Sequence, residues 1–244
     1  MSGATPAGTG SEQEAARWVR GMFGRVAHRY DLANHVLSGN LDRLWRARTV
    51  RRVRPILERP GSRVLDICCG TGDLLLALER AHRGPVLGSD FCHPMLVAAG
   101  EKIARGRALA RLLEADALHL PIRDSALDLV TVAFGFRNLA NYQAGLAEIG
   151  RVLKPGGTAA ILEFSQPPNG LFAAVYNFYS RRILPLIGGA LTGSGDAYRY
   201  LPESIRKFPS AADLAAEMRR SGFEEVSYEF LTGGIVALHL GVRV

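Results

Sequence analysis

The sequence is poor in cysteine, and its three cysteines include an adjacent pair, Cys68 and Cys69. So few cysteines cannot build the disulfide framework of a small secreted domain, which favours a reducing cytoplasm. A vicinal disulfide would strain the turn that contains the pair. The six histidines show no HxH or HExxH arrangement, and the cysteines lack the usual spacing of zinc ligands. We therefore expect two small apolar side chains in a cramped turn and no metal.

Long apolar runs are also absent. None reaches the roughly 18 residues that a membrane-spanning helix needs, and the longest candidate, 171–193, contains Arg181, Arg182 and Pro185. Residues 1–15 lack a basic region followed by an apolar core, so they are not a secretory signal, and we expect a disordered tail there. These absences predict a soluble or peripheral protein.

Acidic residues are outnumbered by basic ones. There are 23 Asp and Glu against 30 Lys and Arg, which gives a net charge of +7 and a pI of about 9.7. This excess favours an anionic partner, either nucleic acid or a lipid surface.

From residue 63 onward, short β-like runs alternate with helical stretches, which is typical of a doubly wound α/β sheet. Seven runs have this character: RVLDIC, PVLGSDF, ARLLEAD, LDLVTVAF, TAAILEF, EVSYEFL and IVALHLGVR. Residues 16–57 are predicted to be a helical cap, with apolar residues at helix spacing and arginines on its remaining surface. Residues 166–209 interrupt the sheet and are predicted to be a lid over the carboxyl ends of the strands. We expect one domain over 16–244.

The string VLDICCGTGD predicts a strand ending at Asp66, a tight turn through Gly70 and Gly72, and then a helix. A dinucleotide-binding fingerprint would need glycine where Leu75 stands, and no Tyr-x-x-x-Lys pair occurs, so a NAD-linked oxidoreductase is disfavoured. Asp90 lies 18 residues after Gly72, at the end of the second run. That position allows its carboxylate to accept hydrogen bonds from ribose hydroxyls.

Asp116 and Ala117 follow the third run. Asp66, the glycine turn, Asp90 and the Asp116-Ala117 pair thus follow one another at successive strand ends. This order suits an adenosine with a zwitterionic amino-acid tail, and it resembles the S-adenosylmethionine site of class I methyltransferases. The fourth run is followed by AFGFRN rather than by an acid or asparagine before Pro-Pro-aromatic, which counts against methylation of base nitrogens in nucleic acid. No cysteine lies near the fourth or fifth run to attack a pyrimidine ring, which counts against cytosine C5 methylation.

Longer strings narrow the resemblance. YDLANHVLSGNLDRLWR, LDICCGTGD, FGFRN, RVLKPGG, LEFS, YRYLPESIRKFP and LTGGIVALHLG together resemble the UbiE/COQ5 family of quinone-biosynthesis C-methyltransferases, from about residue 22 to the carboxyl terminus. The resemblance implies methyl transfer from S-adenosylmethionine to a ring carbon of a polyprenylated hydroquinone. The expected reaction is demethylmenaquinol to menaquinol, and in some members the ubiquinone precursor 2-polyprenyl-6-methoxy-1,4-benzoquinol is also a substrate. Another lipophilic or RNA acceptor and a non-catalytic S-adenosylmethionine-binding scaffold stay open as alternatives.

The resemblance also implies site residues. The expected cofactor-binding residues are Asp66, Gly70, Thr71, Gly72, Asp90, Phe91, Asp116, Ala117 and Ala133. Ala133 stands where the family often has serine. A hydroquinone hydroxyl, with a pKa of about 10, activates its ring fully only as it loses its proton.

Three candidate catalytic residues suit that requirement, and the family motif implies a fourth. Arg137 is expected to stabilise the quinol oxyanion and Asn138 to orient a hydroxyl or water. Asp31 is a candidate base, and Tyr30 a contact to cofactor or substrate. A salt bridge for Arg137 and a structural pair for Asp31 are the alternatives.

The partners follow from the implied substrate. A polyprenyl quinol stays in the bilayer, so we expect peripheral contact with the inner face of the membrane by a cytoplasmic enzyme. The contact would use 171–193 as an interfacial helix or the arginine-rich face of 43–54. An ordinary cap that packs on the sheet is the alternative for 171–193. No nucleic-acid partner is expected, and a homodimer stays open.

Overall fold

A seven-stranded sheet organises the protein in the computed structural model, which describes residues 3–82, 84–170, 176, 178, 179, 182 and 195–244. The strands are β1 (Val64–Ile67), β2 (Leu87–Asp90), β3 (Arg111–Glu114), β4 (Leu127–Ala133), β5 (Leu153–Phe164), β6 (Phe223–Leu231) and β7 (Val236–Arg243). Their order is β3-β2-β1-β4-β5-β7-β6, and β7 runs antiparallel to both of its neighbours. All seven predicted strands and the α/β class are confirmed.

Eight helices are described around this sheet. They are α1 (Glu12–Val26), α2 (Tyr30–Ser38), α3 (Leu41–Leu57), α4 (Asp73–Ala81), α5 (His93–Gly106), α6 (Tyr142–Val152), α7 (Gly195–Lys207) and α8 (Ala211–Arg220). The hydroxyl of Ser11 caps α1, the side chain of Asn141 caps α6 and that of Ser210 caps α8, each by accepting a backbone N–H in the first turn.

Apolar side chains bury both faces of the sheet. Leu57 of α3 and Leu78 of α4 pack with Leu129 on one face. Leu146 of α6 and Leu214 of α8 pack with Val130 on the other face. Because adjacent residues of β4 point to opposite faces, two helical layers are needed to cover the strand.

The amino-terminal cap consists of α1, α2 and α3. Helix α1 begins at Glu12, inside the segment 1–15 that is expected to be disordered, and Ala15 is buried. Ala4 is also buried, and its backbone N–H donates to the carbonyl of Leu139 at 2.7 Å. The segment around Ala4 therefore packs against the loop after β4.

The predicted interfacial or capping helix at 171–193 lies largely outside the described residues. Within the part of the chain that the structure describes, no helix combines the length and the apolar character needed to cross a bilayer.

Candidate active site

Asp66 lies near the carboxyl end of β1, one residue before the strand ends at Ile67, and is 1% exposed. Its register partner on β4 is Thr131, whose hydroxyl donates to Asp66 Oδ1 at 2.6 Å. Burial raises the pKa of Asp66 to about 7, although the hydrogen bond from Thr131 opposes the shift. This carboxyl therefore titrates near neutrality at the floor of a cavity.

The glycine turn is held from the neighbouring strand. Asp90 accepts the backbone N–H of Gly70 at 2.9 Å and that of Cys92 at 2.9 Å. Burial raises the pKa of Asp90, and these backbone hydrogen bonds partly offset the shift. Since an ionised carboxylate offers about four acceptor positions, Asp90 keeps capacity for ribose hydroxyls.

The adjacent cysteines are free thiols that fill space. Cys68 has a φ of 49°, the left-handed region that favours glycine. Its Cβ lies so close to Gly135 that a Cβ on that glycine would meet it at 2.3 Å. Burial, reinforced by the charge of Asp90, raises the pKa of the Cys68 thiol well above its usual value, so the thiol is not activated as a nucleophile.

A cavity opens above these strand ends and contains most of the predicted cofactor residues. Those that line it are Asp66, Gly70, Thr71, Asp90, Phe91, Asp116, Ala117 and Ala133. Gly72 does not line the cavity; it precedes α4 with a φ of 85° and packs near Ala99. Its contribution is the shape of the turn.

A second cavity, of about 210 Å³, lies beside the first and is mainly apolar. The side chains of Met22, Leu41, Trp45, Phe164, Tyr176 and Ile235 are among those that line it. The two cavities share four lining residues, Phe23, Tyr30, Arg46 and Phe134. A group held in the apolar cavity therefore faces a group held over the glycine turn.

The adjacent residues Arg137 and Asn138 face different cavities. Arg137 lines the apolar cavity, is 5% exposed, and donates from Nη1 to Glu163 Oε1 at 2.8 Å. Its guanidinium also lies 5.2 Å from the centre of the Phe164 ring. Asn138 lines the cofactor cavity and accepts a hydrogen bond from the Tyr200 hydroxyl at 3.1 Å. The salt-bridge alternative for Arg137 is thus present together with its position at the cavity.

Tyr30 and Asp31 are neighbours at the start of α2, but only Tyr30 lines the cavities. Tyr30 lines both cavities, and burial raises the pKa of its hydroxyl while Arg137 partly opposes the shift. Asp31 is absent from the described lining of either cavity. Its carboxylate oxygens contact the Thr71 hydroxyl and Lys102 Nζ, each at 2.5 Å. The structure therefore places the candidate base in a polar pair next to the glycine turn.

Arg46 and Phe134 are site residues that the sequence analysis missed. Arg46 belongs to the arginine-rich stretch expected on the surface, yet its side chain is only 12% exposed and pairs with Asp42. Its guanidinium lies 5.6 Å from the centre of the Phe134 ring. The one sequence signal for burial here is the neighbouring Trp45, an aromatic residue within a basic run, which is buried.

Comparison with known proteins identifies the family. The family model for the ubiE/COQ5 methyltransferase family matches residues 9–243. A demethylmenaquinone methyltransferase of Thermus thermophilus is 50% identical over 224 residues, covering 91% of this chain and all of that protein. This chain belongs to the ubiE/COQ5 methyltransferase family. The ubiquinone/menaquinone biosynthesis C-methyltransferase UbiE of Azotobacter vinelandii is 44% identical, covering 95% of this chain and 92% of that protein.

Solved structures with distant sequences share the fold of this ubiE/COQ5 family member. A SAM-dependent methyltransferase of Thermotoga maritima, described as a possible histamine N-methyltransferase, has a TM-score of 0.64 at 18% identity and covers 91% of this chain and 98% of that chain. The [4+2]-cyclase SpnF has a TM-score of 0.67 at 17% identity and covers 100% and 99% of the two chains. Identities this low support the class I methyltransferase fold alone.

Proposed function

We propose that this chain transfers the methyl group of S-adenosylmethionine to a ring carbon of a polyprenyl hydroquinol, with demethylmenaquinol as the substrate and menaquinol as the product. The observation that carries the proposal is the junction of the two cavities at Tyr30, Arg46 and Phe134. Adenosine and its methionine tail suit the cavity over the glycine turn, which contains the carboxylates of Asp66, Asp90 and Asp116. An apolar aromatic ring fits the cavity beside it.

The reaction needs a hydroquinone whose hydroxyl loses its proton as the ring carbon attacks the methyl group. The new C–C bond takes its electrons from the ring, and the C–S bond breaks toward sulfur, which leaves S-adenosylhomocysteine. The ring proton at the methylated carbon then departs and the ring oxygen regains a proton to give the quinol, so one proton is released overall. A buried cation stabilises the developing oxyanion in this mainly apolar cavity, and Arg137 is the residue we assign to that role.

The pairing of Arg137 with Glu163 limits this role to orientation and partial charge stabilisation. The two side chains are 5% and 1% exposed, so their charges largely cancel inside the protein. The guanidinium retains further N–H donors for a quinol oxygen, since Nη1 and Nε account for its described hydrogen bonds. Asn138, which accepts a hydrogen bond from Tyr200, is the residue we assign to orient a quinol hydroxyl or a water.

The test is methyl transfer by the purified protein. Reduced demethylmenaquinone with a short isoprenoid tail is incubated with S-adenosylmethionine that carries a labelled methyl group, and the quinones are separated by chromatography. We expect a labelled product one methyl group heavier, with the oxidised quinone giving none. Labelled product from the benzoquinol alone would change the assigned substrate, and binding of the cofactor without turnover on either ring would contradict the enzymatic function.

We further propose that the mouth of the apolar cavity docks on an anionic bilayer. Leu32 and Val36, one turn apart on α2, are 57% and 50% exposed, and Phe178 is 62% exposed. Tyr179, within the predicted lid, contacts the same helix, because its hydroxyl donates to the Leu37 carbonyl at 2.8 Å. Leu37 and Tyr179 line the cavity, so these exposed apolar side chains adjoin its rim. The net charge of +7 favours anionic lipid.

Flotation with phosphatidylglycerol vesicles tests this docking. The substitutions Leu32→Asp and Val36→Asp together should reduce binding, while Leu109→Asp is a matched control. Leu109 is 69% exposed but precedes β3, at the end of the sheet away from the cavities. Equal losses in both proteins would contradict docking by α2.

A further inference from the structure

The carboxylate of Asp31 occupies a set of polar contacts between the amino-terminal cap and the glycine turn. Oδ1 accepts the Thr71 hydroxyl at 2.5 Å, and Oδ2 lies 2.5 Å from Lys102 Nζ. Lys102 also contacts Asp73 Oδ1 at 2.7 Å and Thr71 Oγ1 at 3.2 Å. A hydroxyl and an ammonium group thus hold one carboxylate at the edge of the cofactor cavity.

These contacts have the chemistry of a carboxylate-binding subsite. The Thr71 residue lines the cavity, and so does Arg46, whose Nη2 lies 3.6 Å from Asp73 Oδ2. The methionine end of S-adenosylmethionine carries an α-carboxylate, which needs donors of this kind. Asp31 and Lys102 are both outside the described lining of the cavity, whereas Thr71 and Asp73, which contact Lys102, belong to it. Asp31 approaches Thr71 and Lys102 from α2.

We propose that Thr71 and Lys102 bind the α-carboxylate of the cofactor, and that Asp31 is an internal substitute which the cofactor displaces. The inference rests on the proposed function, because it takes the cofactor from there. The exchange keeps the charge balance, since one carboxylate replaces another beside Lys102. It also assigns Asp31 a role other than that of a base.

The exchange couples the cofactor to the substrate cavity. Asp31 follows Tyr30 directly on α2, and Tyr30 lines both cavities, with Asn34 one turn further along in the apolar cavity. Release of Asp31 from the glycine turn frees the start of α2 and changes the wall of the apolar cavity. Cofactor binding therefore precedes productive binding of the quinol.

The experiment compares two ligands by calorimetry. S-adenosylhomocysteine carries the α-carboxylate, whereas 5′-methylthioadenosine lacks the whole amino-acid tail. Lys102→Met should weaken S-adenosylhomocysteine about tenfold or more, as expected for loss of a charge-assisted hydrogen bond. Asp31→Asn should tighten it several-fold, because a competitor for Lys102 and Thr71 is removed. Neither substitution should alter the affinity for 5′-methylthioadenosine.

Two further variants complete the test. Thr71→Val should lower the affinity for S-adenosylhomocysteine but not that for 5′-methylthioadenosine. It serves as a second measurement if Asp31→Asn fails to fold. Lys154→Met is the matched control, because Lys154 pairs with Asp128 at 2.7 Å away from the cavity lining. This substitution should change the affinity for neither ligand.

The outcomes separate this inference from the proposed function. Unchanged or weaker S-adenosylhomocysteine binding by Asp31→Asn would overturn the inference alone. So would an equal loss of both ligands in Lys102→Met, which would indicate a purely structural ion pair. A wild-type chain that binds neither ligand would overturn the proposed function together with the inference.

Discussion

The carboxyl of Asp66 should make cofactor affinity depend on pH. Burial raises the pKa of Asp66 to about 7 in the protein without ligand. The amino group of S-adenosylhomocysteine is a cation, and we expect it to pair with the ionised carboxylate. At low pH the free protein then carries a proton that the complex does not. Affinity therefore rises as pH increases through 7 and falls below it.

The size of the effect follows from the pKa. With a midpoint at about 7, roughly a tenth of the carboxyl is ionised at pH 6 and roughly nine tenths at pH 8. The Kd for S-adenosylhomocysteine should be about tenfold larger at pH 6 than at pH 8, or about 1.4 kcal/mol. Calorimetry in buffers with different ionisation heats should detect release of about half a proton on binding at pH 7.

Two variants define what would refute this reasoning. Asp66→Asn should bind more weakly and without the pH dependence. Thr131→Val should move the midpoint to higher pH, because it removes the hydrogen bond that lowers the pKa of Asp66. A wild-type Kd that is constant from pH 6 to pH 8, or the same slope in Asp66→Asn, would show that another group controls the affinity.

Three other predictions concern stability in urea denaturation. Gly135→Ala should lower the free energy of unfolding by about 1–3 kcal/mol, because the new Cβ would meet that of Cys68. Adding Cys68→Gly should restore the stability. If it does not, the strain lies elsewhere. Arg137→Met should lower the free energy of unfolding by about 3–5 kcal/mol, because it leaves the buried charge of Glu163 unpaired. The double variant Arg137→Met/Glu163→Leu should recover much of that loss. Additive losses would argue against a coupled pair. Burial lowers the pKa of His239 below 6.5, so as pH falls the unfolded chain takes up this proton before the folded chain does. The free energy of unfolding should therefore decrease as pH drops below about 6.5, by up to about 1.4 kcal/mol per pH unit. His239→Gln should remove that pH dependence, and an unchanged slope would assign it to other groups.

Much of the fold follows from local pattern. Short apolar runs bounded by turn residues predict strands because each strand must bury side chains on both faces of the sheet. The strand ends then bring Asp66, Asp90 and Asp116 to one edge, and all three line the cavity over the glycine turn. The amino-terminal boundary was less accessible to this reasoning. Helix α1 starts at Glu12 because Ser11 caps it, within a stretch whose composition alone suggests disorder.

Helix α3 shows where local pattern is insufficient. Its apolar residues predict a buried stripe that includes Leu44, yet Leu44 is 65% exposed. Val53, another member of that stripe, is buried, and the buried side also contains Asp42, Trp45 and Thr49. Asp42 is buried because His35, Ser38 and Arg46 satisfy its carboxylate. No periodicity distinguishes Arg46 from the solvent-exposed arginines around it.

By itself the sequence determined the α/β class, the position of the glycine turn and the strand-end acids, because turn chemistry and hydrophobic period act over a few neighbouring residues. Tertiary structure alone decided which polar groups meet: Thr71 and Asp31 are 40 positions apart, and Thr131 and Asp66 are 65 apart. The energy of a buried charge depends on its partners and its distance from water. Those quantities exist only once the chain has folded, and they decide that Asp31 contacts Lys102 rather than lining the apolar cavity.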